Sequence, residues 1–265
     1  MKRLLTAAVA LPLLILFILK AGPFPFACLI SLFSFLGLRE FYAMAIPARW
    51  GEGMAAAVTG GLLPLALLTS DPYRLFISGL TVLVLMSGLL FLFRFREMKA
   101  VAGEISFLAT GFLYVPLLLC HFILLRLLPL GTSWIFLLLV IVMAGDTFAY
   151  YVGSSFGRHK LYPAVSPNKS IEGALGGVAG SLTGALICKA TFFPELSVAA
   201  AVVAAILLGV LGQLGDLFES MLKRSFGVKD SGTIVPGHGG ILDRLDSMLF
   251  AAPAAYFCAA FLFRL

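Results

Sequence analysis

Apolar residues in this chain come in runs long enough to cross a lipid bilayer, and that feature limits the possible folds more than any other. Segments such as Leu137-Leu138-Leu139-Val140-Ile141-Val142-Met143 lie inside stretches of roughly 18 or more residues with few charges, the length that spans hydrocarbon as a helix. Lipid gives backbone amides no hydrogen-bond partner, so each span must satisfy its own backbone as an α-helix. A barrel would instead show alternating strands of about ten residues. Composition agrees: 61% of residues are hydrophobic and 12% charged, against about half and about a quarter in a soluble domain. The expected fold class is an all-α polytopic integral membrane protein of about nine transmembrane helices. The spans are expected near 4–20, 24–45, 53–69, 75–93, 105–128, 133–153, 172–190, 195–217 and 247–263.

Short connections carry turn signals, among them Gly22-Pro23, Ser70-Asp71-Pro72 and Gly131-Thr132-Ser133. The span near 53–69 has the weakest pattern, because it contains Gly60, Gly61 and Pro64. Met1 to Lys20 has signal-peptide features, with Lys2 and Arg3 ahead of an apolar run. No small-x-small cleavage site follows, so an uncleaved first helix is expected. The expected organisation is an N-terminal region, 1–130, of about five helices, and a C-terminal catalytic region, 131–265, with polar loops near 154–171 and 218–246.

Lys and Arg set the orientation. With a cytoplasmic N-terminus and these spans, Lys2, Arg3, Arg39, Arg49, Arg94, Arg96, Lys99, Arg158, Lys160, Lys169, Lys223, Arg224, Lys229 and Arg244 fall on the cytoplasmic side. Lys20, Arg74, Arg126, Lys189 and Arg264 fall on the other. Both long polar loops are then cytoplasmic. The net charge of +6 follows from topology and favours anionic head groups. No basic stripe with interleaved aromatics points to nucleic acid. Cys28, Cys120, Cys188 and Cys258 each sit alone in an apolar run without a CxxC pair, which supports neither a zinc site nor a disulfide framework.

Acidic residues are few, so their positions carry information. Glu40, Glu52, Glu97 and Glu104 lie near cytoplasmic span ends beside Arg or Lys and read as solvated or paired surface charges. Asp146 sits inside an apolar run. An acid there normally faces a cavity or a partner; a working carboxylate and a structural ion pair are both open. Asp216 and Glu219 are three residues apart, so a continuing helix points both to one face. Asp243 and Asp246 repeat that spacing. Such pairs can share a Mg²⁺, a hard cation that takes oxygen ligands and keeps substrate phosphates in its shell. Lys223, Arg224, Lys229 and Arg244 suit phosphate oxygens, and Gly232, Gly237, Gly239 and Gly240 allow close backbone approach. Together they describe a site for a metal-bound nucleotide, with a solvated loop of mixed charge as the alternative. Ser166-Pro167-Asn168-Lys169-Ser170 precedes a helical run; it reads as a helix cap whose N-terminus, with Lys169, favours phosphate. His121 reads as packed or interfacial and His159 as solvated; His238 draws notice only through its neighbours. In the seventh span, Gly173, Gly176, Gly180 and Gly184 share one face. They read first as a close helix contact and second as a groove for a lipid chain.

From Ser220-Met221-Leu222-Lys223-Arg224 through Lys229-Asp230 to His238-Gly239-Gly240-Ile241-Leu242-Asp243-Arg244-Leu245-Asp246, the chain resembles the signature of the phosphatidate cytidylyltransferases, the CDP-diacylglycerol synthases. The pattern is Ser-x-apolar-Lys-Arg, four residues, Lys-Asp, then His-Gly-Gly-apolar-x-Asp-Arg-apolar-Asp. Ser166-Pro167-Asn168-Lys169-Ser170 and Gly145-Asp146 resemble weaker family positions. The resemblance covers about residues 145–246; the first five spans match in hydropathy only.

The resemblance implies a polytopic, Mg²⁺-dependent homodimer that joins CTP to phosphatidate, giving CDP-diacylglycerol and pyrophosphate. It also implies a second, monovalent cation such as K⁺. It places Asp216, Asp243 and Asp246 on metal, with Asp146 as a further ligand or organiser. Lys169, Lys223, Arg224, Lys229 and Arg244 would hold phosphates. Ser166, Asn168, Ser220, His238, Gly239 and Gly240 would shape the substrate site. The expected location is the bacterial inner membrane, with the site facing the cytoplasm. Two other readings use the same residues: an ion-coupled secondary transporter built on Asp146 and Asp216, and a CTP-dependent polyprenol kinase.

Overall fold

A computed structural model describes residues 12–234 and 239–263. Within them run α1 (12–20), α2 (Pro23–Ala45), α3 (Trp50–Leu62), α4 (Pro72–Arg94), α5 (Met98–Tyr114), α6 (Pro116–Leu127), α7 (Gly131–Phe156), α8 (Ile171–Thr191), α9 (Val198–Ser225) and α10 (Leu242–Phe257). Among the described residues, eight helical segments are long and apolar enough to cross a membrane: Pro23–Ala45, Pro47–Leu68, Tyr73–Arg94, Met98–Leu127, Gly131–Phe156, Ile171–Thr191, Val198–Ser225 and Leu242–Phe263. They fall on the expected spans from the second to the ninth. Of the first expected span, near 4–20, residues 12–20 are helical and the remainder lies outside the described residues. Two spans change pitch at proline, which supplies no amide to the helix ladder. Pro64 sits in the 3₁₀ segment Leu63–Leu68 that ends the Pro47–Leu68 span. Pro116 starts α6 where the Met98–Leu127 span breaks.

Both polar loops are shorter than expected. The 218–246 segment is helical up to Ser225, because α9 runs on through residues that are good helix formers although they are polar. It stops at Gly227, whose φ is +73°. Gly227 N–H donates to Arg224 O at 3.0 Å and Val228 N–H to Lys223 O at 3.0 Å, the pair of bonds that closes a helix on a left-handed residue. The 154–171 segment begins as the end of α7 and then forms an antiparallel hairpin of β1 (Lys160–Tyr162) and β2 (Ser166–Ser170), with Lys160 opposite Ser170. This hairpin is a small β element in an otherwise helical chain.

The described residues form two compact units. One comes from Met1–Ile123 and Asp230–Arg244, the other from Leu124–Lys229 and Leu245–Leu265. In the first, α2 packs on α3 and α5 around buried Leu38, Phe41, Tyr42, Leu108 and Phe112. Tyr42 donates its hydroxyl to Leu108 O at 3.0 Å. Arg49 is only 1% exposed. Its guanidinium bonds Glu104 Oε1 at 2.7 Å and Arg94 O at 2.9 Å, lies 3.7 Å from Glu52, and sits over the Phe91 ring. Glu52 and Glu104 are therefore paired charges, as their neighbours implied.

In the second unit, α8 lies between α7 and α9. Its glycine face meets α7 directly. A Cβ on Gly176 would lie 2.6 Å from Val152 Cβ, and one on Gly180 2.6 Å from both Ala144 O and Phe148 Cβ. The stripe is a helix contact: the glycines of α8 leave room for Val152 and Phe148 of α7. Outside these contacts, α4 exposes Ile77, Leu85, Leu89, Leu92 and Phe93, an apolar surface suited to lipid.

Gly180→Leu is expected to force α7 and α8 apart and to cost about 1–3 kcal/mol, the usual range for overpacking. Gly88→Ala, where an added Cβ meets nothing within 4 Å, is the control and should not destabilise. Thermal unfolding of both variants in detergent checks this.

Candidate functional site

The C-terminal third of α9 carries the densest chemistry of the second unit. At about 1.5 Å per residue, its 28 residues reach about 42 Å, beyond the roughly 30 Å of a hydrocarbon core. The surplus puts its polar end, from Asp216 onward, at or past the bilayer edge. The same end of the unit gathers the C-terminus of α7, the hairpin and the N-terminus of α8. Ser170 caps α8 by accepting from Gly173 N–H at 3.1 Å, the capping role expected of it.

Asp146, Asp216 and Asp246 come from α7, α9 and α10. The carboxylates of Asp216 and Asp146 both repel that of Asp246, while Lys223 attracts it. Gly215 permits this convergence: the carbonyl oxygen of Asp246 lies 2.6 Å from where a Cβ on Gly215 would be, and Phe250 Cβ lies 3.2 Å away. Asp246 Oδ1 also accepts from Ser247 N–H at 2.6 Å. The hairpin adds a cation, since Lys169 Nζ lies 2.6 Å from Asp216 Oδ2. Ser220 Oγ donates weakly to Asp216 Oδ1 at 3.4 Å. One turn on, Lys223 Nζ contacts Glu219 Oε2. Glu219 is 1% exposed and Lys223 9% exposed, so this pair is buried whereas the Lys169–Asp216 pair is about a third exposed.

The donor set suits a divalent cation. Asp246 lies within the fields of the Asp216 and Asp146 carboxylates, and a hard cation beside it would offset that repulsion. No group of three or more acidic, histidine or cysteine side chains among the described residues closes on a single ion position. Mg²⁺ commonly takes one or two carboxylates and completes its shell with water and substrate phosphate.

The first unit holds the other part of the motif. Asp243, at the start of α10, accepts on Oδ2 from Ser231 N–H at 3.0 Å and Gly240 N–H at 2.8 Å. Gly239 has φ +83°, and a Cβ there would lie 2.6 Å from Asp243 Oδ2. Glu40, expected as a solvated or paired surface charge, is 3% exposed. It accepts from Ile241 N–H at 3.0 Å, Leu242 N–H at 2.8 Å and Ser231 Oγ–H at 3.0 Å. Its partners are backbone amides and a hydroxyl 191 to 202 residues away, which no local pattern reveals.

Other expected site residues are more dispersed. On β2, Ser166 is half-buried and Asn168 exposed. Arg224, Lys229 and Arg244 are exposed, and Arg224 donates to Val228 O at 3.1 Å. His238 lies outside the described residues. His159 is exposed as expected, yet its Nδ1 sits 2.6 Å from Glu172 Oε1. The importance of Glu40 and Gly215 was missed. A glycine immediately before an acid in a motif was the available signal for Gly215.

A family model described as the cytidylyltransferase family matches residues 1–262 of this chain. A Bacillus subtilis protein named phosphatidate cytidylyltransferase is 34% identical over 271 residues, covering 98% of this chain and 97% of that protein. Proteins of the same name from Staphylococcus epidermidis and Staphylococcus aureus are 47% and 48% identical over 123 residues. These matches cover 46% of this chain and 47% of each relative.

The two ion pairs differ in burial and should differ in worth. Glu219→Ala removes the nearer carboxylate from the buried Lys223 ammonium, which retains the attraction of Asp246, and is expected to cost up to about 3–5 kcal/mol. Lys169→Ala removes a part-exposed pair and should cost no more than about 1 kcal/mol. Thermal unfolding of purified protein compares them.

Proposed function

The chain belongs to the cytidylyltransferase family, and from that membership we propose that it transfers CMP from CTP to phosphatidate, forming CDP-diacylglycerol and releasing pyrophosphate. The convergence of Asp146, Asp216 and Asp246, with Lys169 on Asp216, carries the reading. The phosphate of phosphatidate is already an anionic nucleophile. Its oxygen attacks the α-phosphorus of CTP in line, a P–O bond forms, and the bond to the bridging α–β oxygen breaks as pyrophosphate leaves with the electron pair. No covalent enzyme intermediate or general base is required. The obstacle is repulsion between two polyanions, and the protein's task is to neutralise and align them.

As the family resemblance implies, Asp216, Asp243 and Asp246 would hold Mg²⁺, with Asp146 as a further ligand or organiser. A second, monovalent cation such as K⁺ belongs to the same proposal. When bound, Mg²⁺ supplies positive charge to the phosphates and to the leaving pyrophosphate. Lys169, paired with Asp216 at 2.6 Å, would be free to offer its charge to a phosphate oxygen where a cation took its place beside Asp216. Lys223, Arg224, Lys229 and Arg244 offer further charge to the phosphates. Ser166, Asn168, Ser220, His238, Gly239 and Gly240 complete the substrate site. The acyl chains stay in lipid while the head group meets CTP at the bilayer edge. The Lys and Arg asymmetry supports a cytoplasmic site, and both the bacterial inner-membrane location and a homodimer rest on the family resemblance.

Purified protein given labelled CTP and phosphatidate is expected to yield lipid-linked cytidine and pyrophosphate in equal amounts. Release of CDP would instead mark a kinase acting on a lipid hydroxyl, and absence of both products would sink the proposal. Asp216→Asn and Asp246→Asn should each lower the rate about 10²–10³-fold, the scale of losing a preorganised charge at the reacting centre, without reducing folded yield. Chelation should abolish turnover, and added Mg²⁺ should restore it.

A further inference from the structure

Glu40 is a buried acid outside the signature motif, far from it in sequence, and yet bonded to it at three points. The carboxylate lies at the N-terminal end of α10, where amides lack intrahelical acceptors and the helix dipole favours negative charge. Oε1 takes Ile241 N–H, and Oε2 takes both Leu242 N–H and Ser231 Oγ–H. The Ser231 hydroxyl in turn accepts from Asp243 N–H at 3.3 Å, and Ser231 N–H donates to Asp243 Oδ2. Glu40, Ser231 and Asp243 thus form one connected set of hydrogen bonds.

The glycines around it are explained by the same carboxylate. A Cβ on Gly232 would lie 2.5 Å from Glu40 Oε1, and one on Gly240 would collide with Glu40 Oε2 and Ser231 Oγ. The space beside these two glycines is filled by Glu40. Among the described residues, no Lys or Arg forms an ion pair with it. A carboxylate buried with amide and hydroxyl donors alone is a costly arrangement unless the site gains from it.

We propose that Glu40 is a positioning residue for the transferase reaction: from α2 it clamps both ends of the signature loop, at Ser231 and at Ile241–Leu242, and so sets where the Asp243 carboxylate is held. This rests on the reading of Asp243 as a working residue. Glu40 touches no substrate; it acts through Ser231 and the loop backbone. Shape alone is insufficient, because three donors converge on two oxygens. A glutamine at this position would turn an N–H₂ group toward one of those donors, while an aspartate would keep the charge but fall one methylene short.

The test measures kcat, KM for CTP and thermal unfolding of full-length protein in phosphatidate-containing micelles. Glu40→Gln is expected to lower kcat at least ten-fold with KM for CTP within about three-fold, and Glu40→Asp to recover part of the loss. Ser231→Ala, which removes only the shared hydroxyl, is expected to lower kcat three- to ten-fold and keeps the test decisive if Glu40 variants do not fold. Glu104→Gln, which weakens the Arg49 pair in the same unit, is the control for general loosening and should keep its kcat. Wild-type kcat in Glu40→Gln, or in Ser231→Ala where the former does not fold, overturns the inference. So does an equal kcat loss in Glu104→Gln. Asp243→Asn separates the two readings. If it is inactive while Glu40→Gln is normal, only the inference fails; if it is fully active, the reading beneath it fails.

Discussion

A charge inside an apolar helix bundle must find its partner within the chain, because lipid offers none. The buried charges here follow that constraint in three ways. Arg49 is surrounded by Glu104, Glu52, the Arg94 carbonyl and the Phe91 ring. Glu219 is matched by Lys223 one helical turn away. Glu40 takes backbone amides and a serine hydroxyl. Beside these pairs, Asp246 differs in that the carboxylates of Asp216 and Asp146 both act on it with the same sign of charge. A cation held beside Asp246 would offset that repulsion, and its remaining coordination positions could take phosphate oxygens.

Close backbone approach makes that cluster possible. Between helices in lipid there is little hydrophobic gain from contact, so distance is governed by side-chain size. Gly176 and Gly180 let α8 meet α7, and Gly215 lets α9 meet the Asp246 turn of α10. Each removes one side chain and brings carboxylates or their supporting helices a few ångströms nearer. The glycines of the signature loop work differently. Gly239 adopts a left-handed backbone, and Gly232 and Gly240 leave space for an acid from another helix.

Much of this was legible in the residues because the relevant physics is local. Hydropathy located the eight described spans, and the glycine spacing in α8 announced a contact face. Asp216 and Lys169 were singled out separately, and they meet. Local reading failed where an element's end depends on something other than hydropathy. Helix α9 runs past the expected span end near 217, through polar residues to Ser225, because polarity does not end a helix; the left-handed Gly227 follows. Glu40 was misread for a related reason. Arg39 beside it implied a solvated pair, whereas its partners lie 191 to 202 residues on.

By itself the sequence determined the membrane-spanning class, the positions of the spans and the residue types able to manage phosphate and metal. Those follow from transfer free energies and from spacing along one helix, which are properties of short segments. Only the tertiary structure decided which charges are neighbours: Asp246 with Asp216 and Asp146, Lys223 with Glu219, and Glu40 with the loop that carries Asp243. Electrostatic and hydrogen-bond energies depend on separations of a few ångströms between distant parts of the chain, and those separations exist only once the helices have packed.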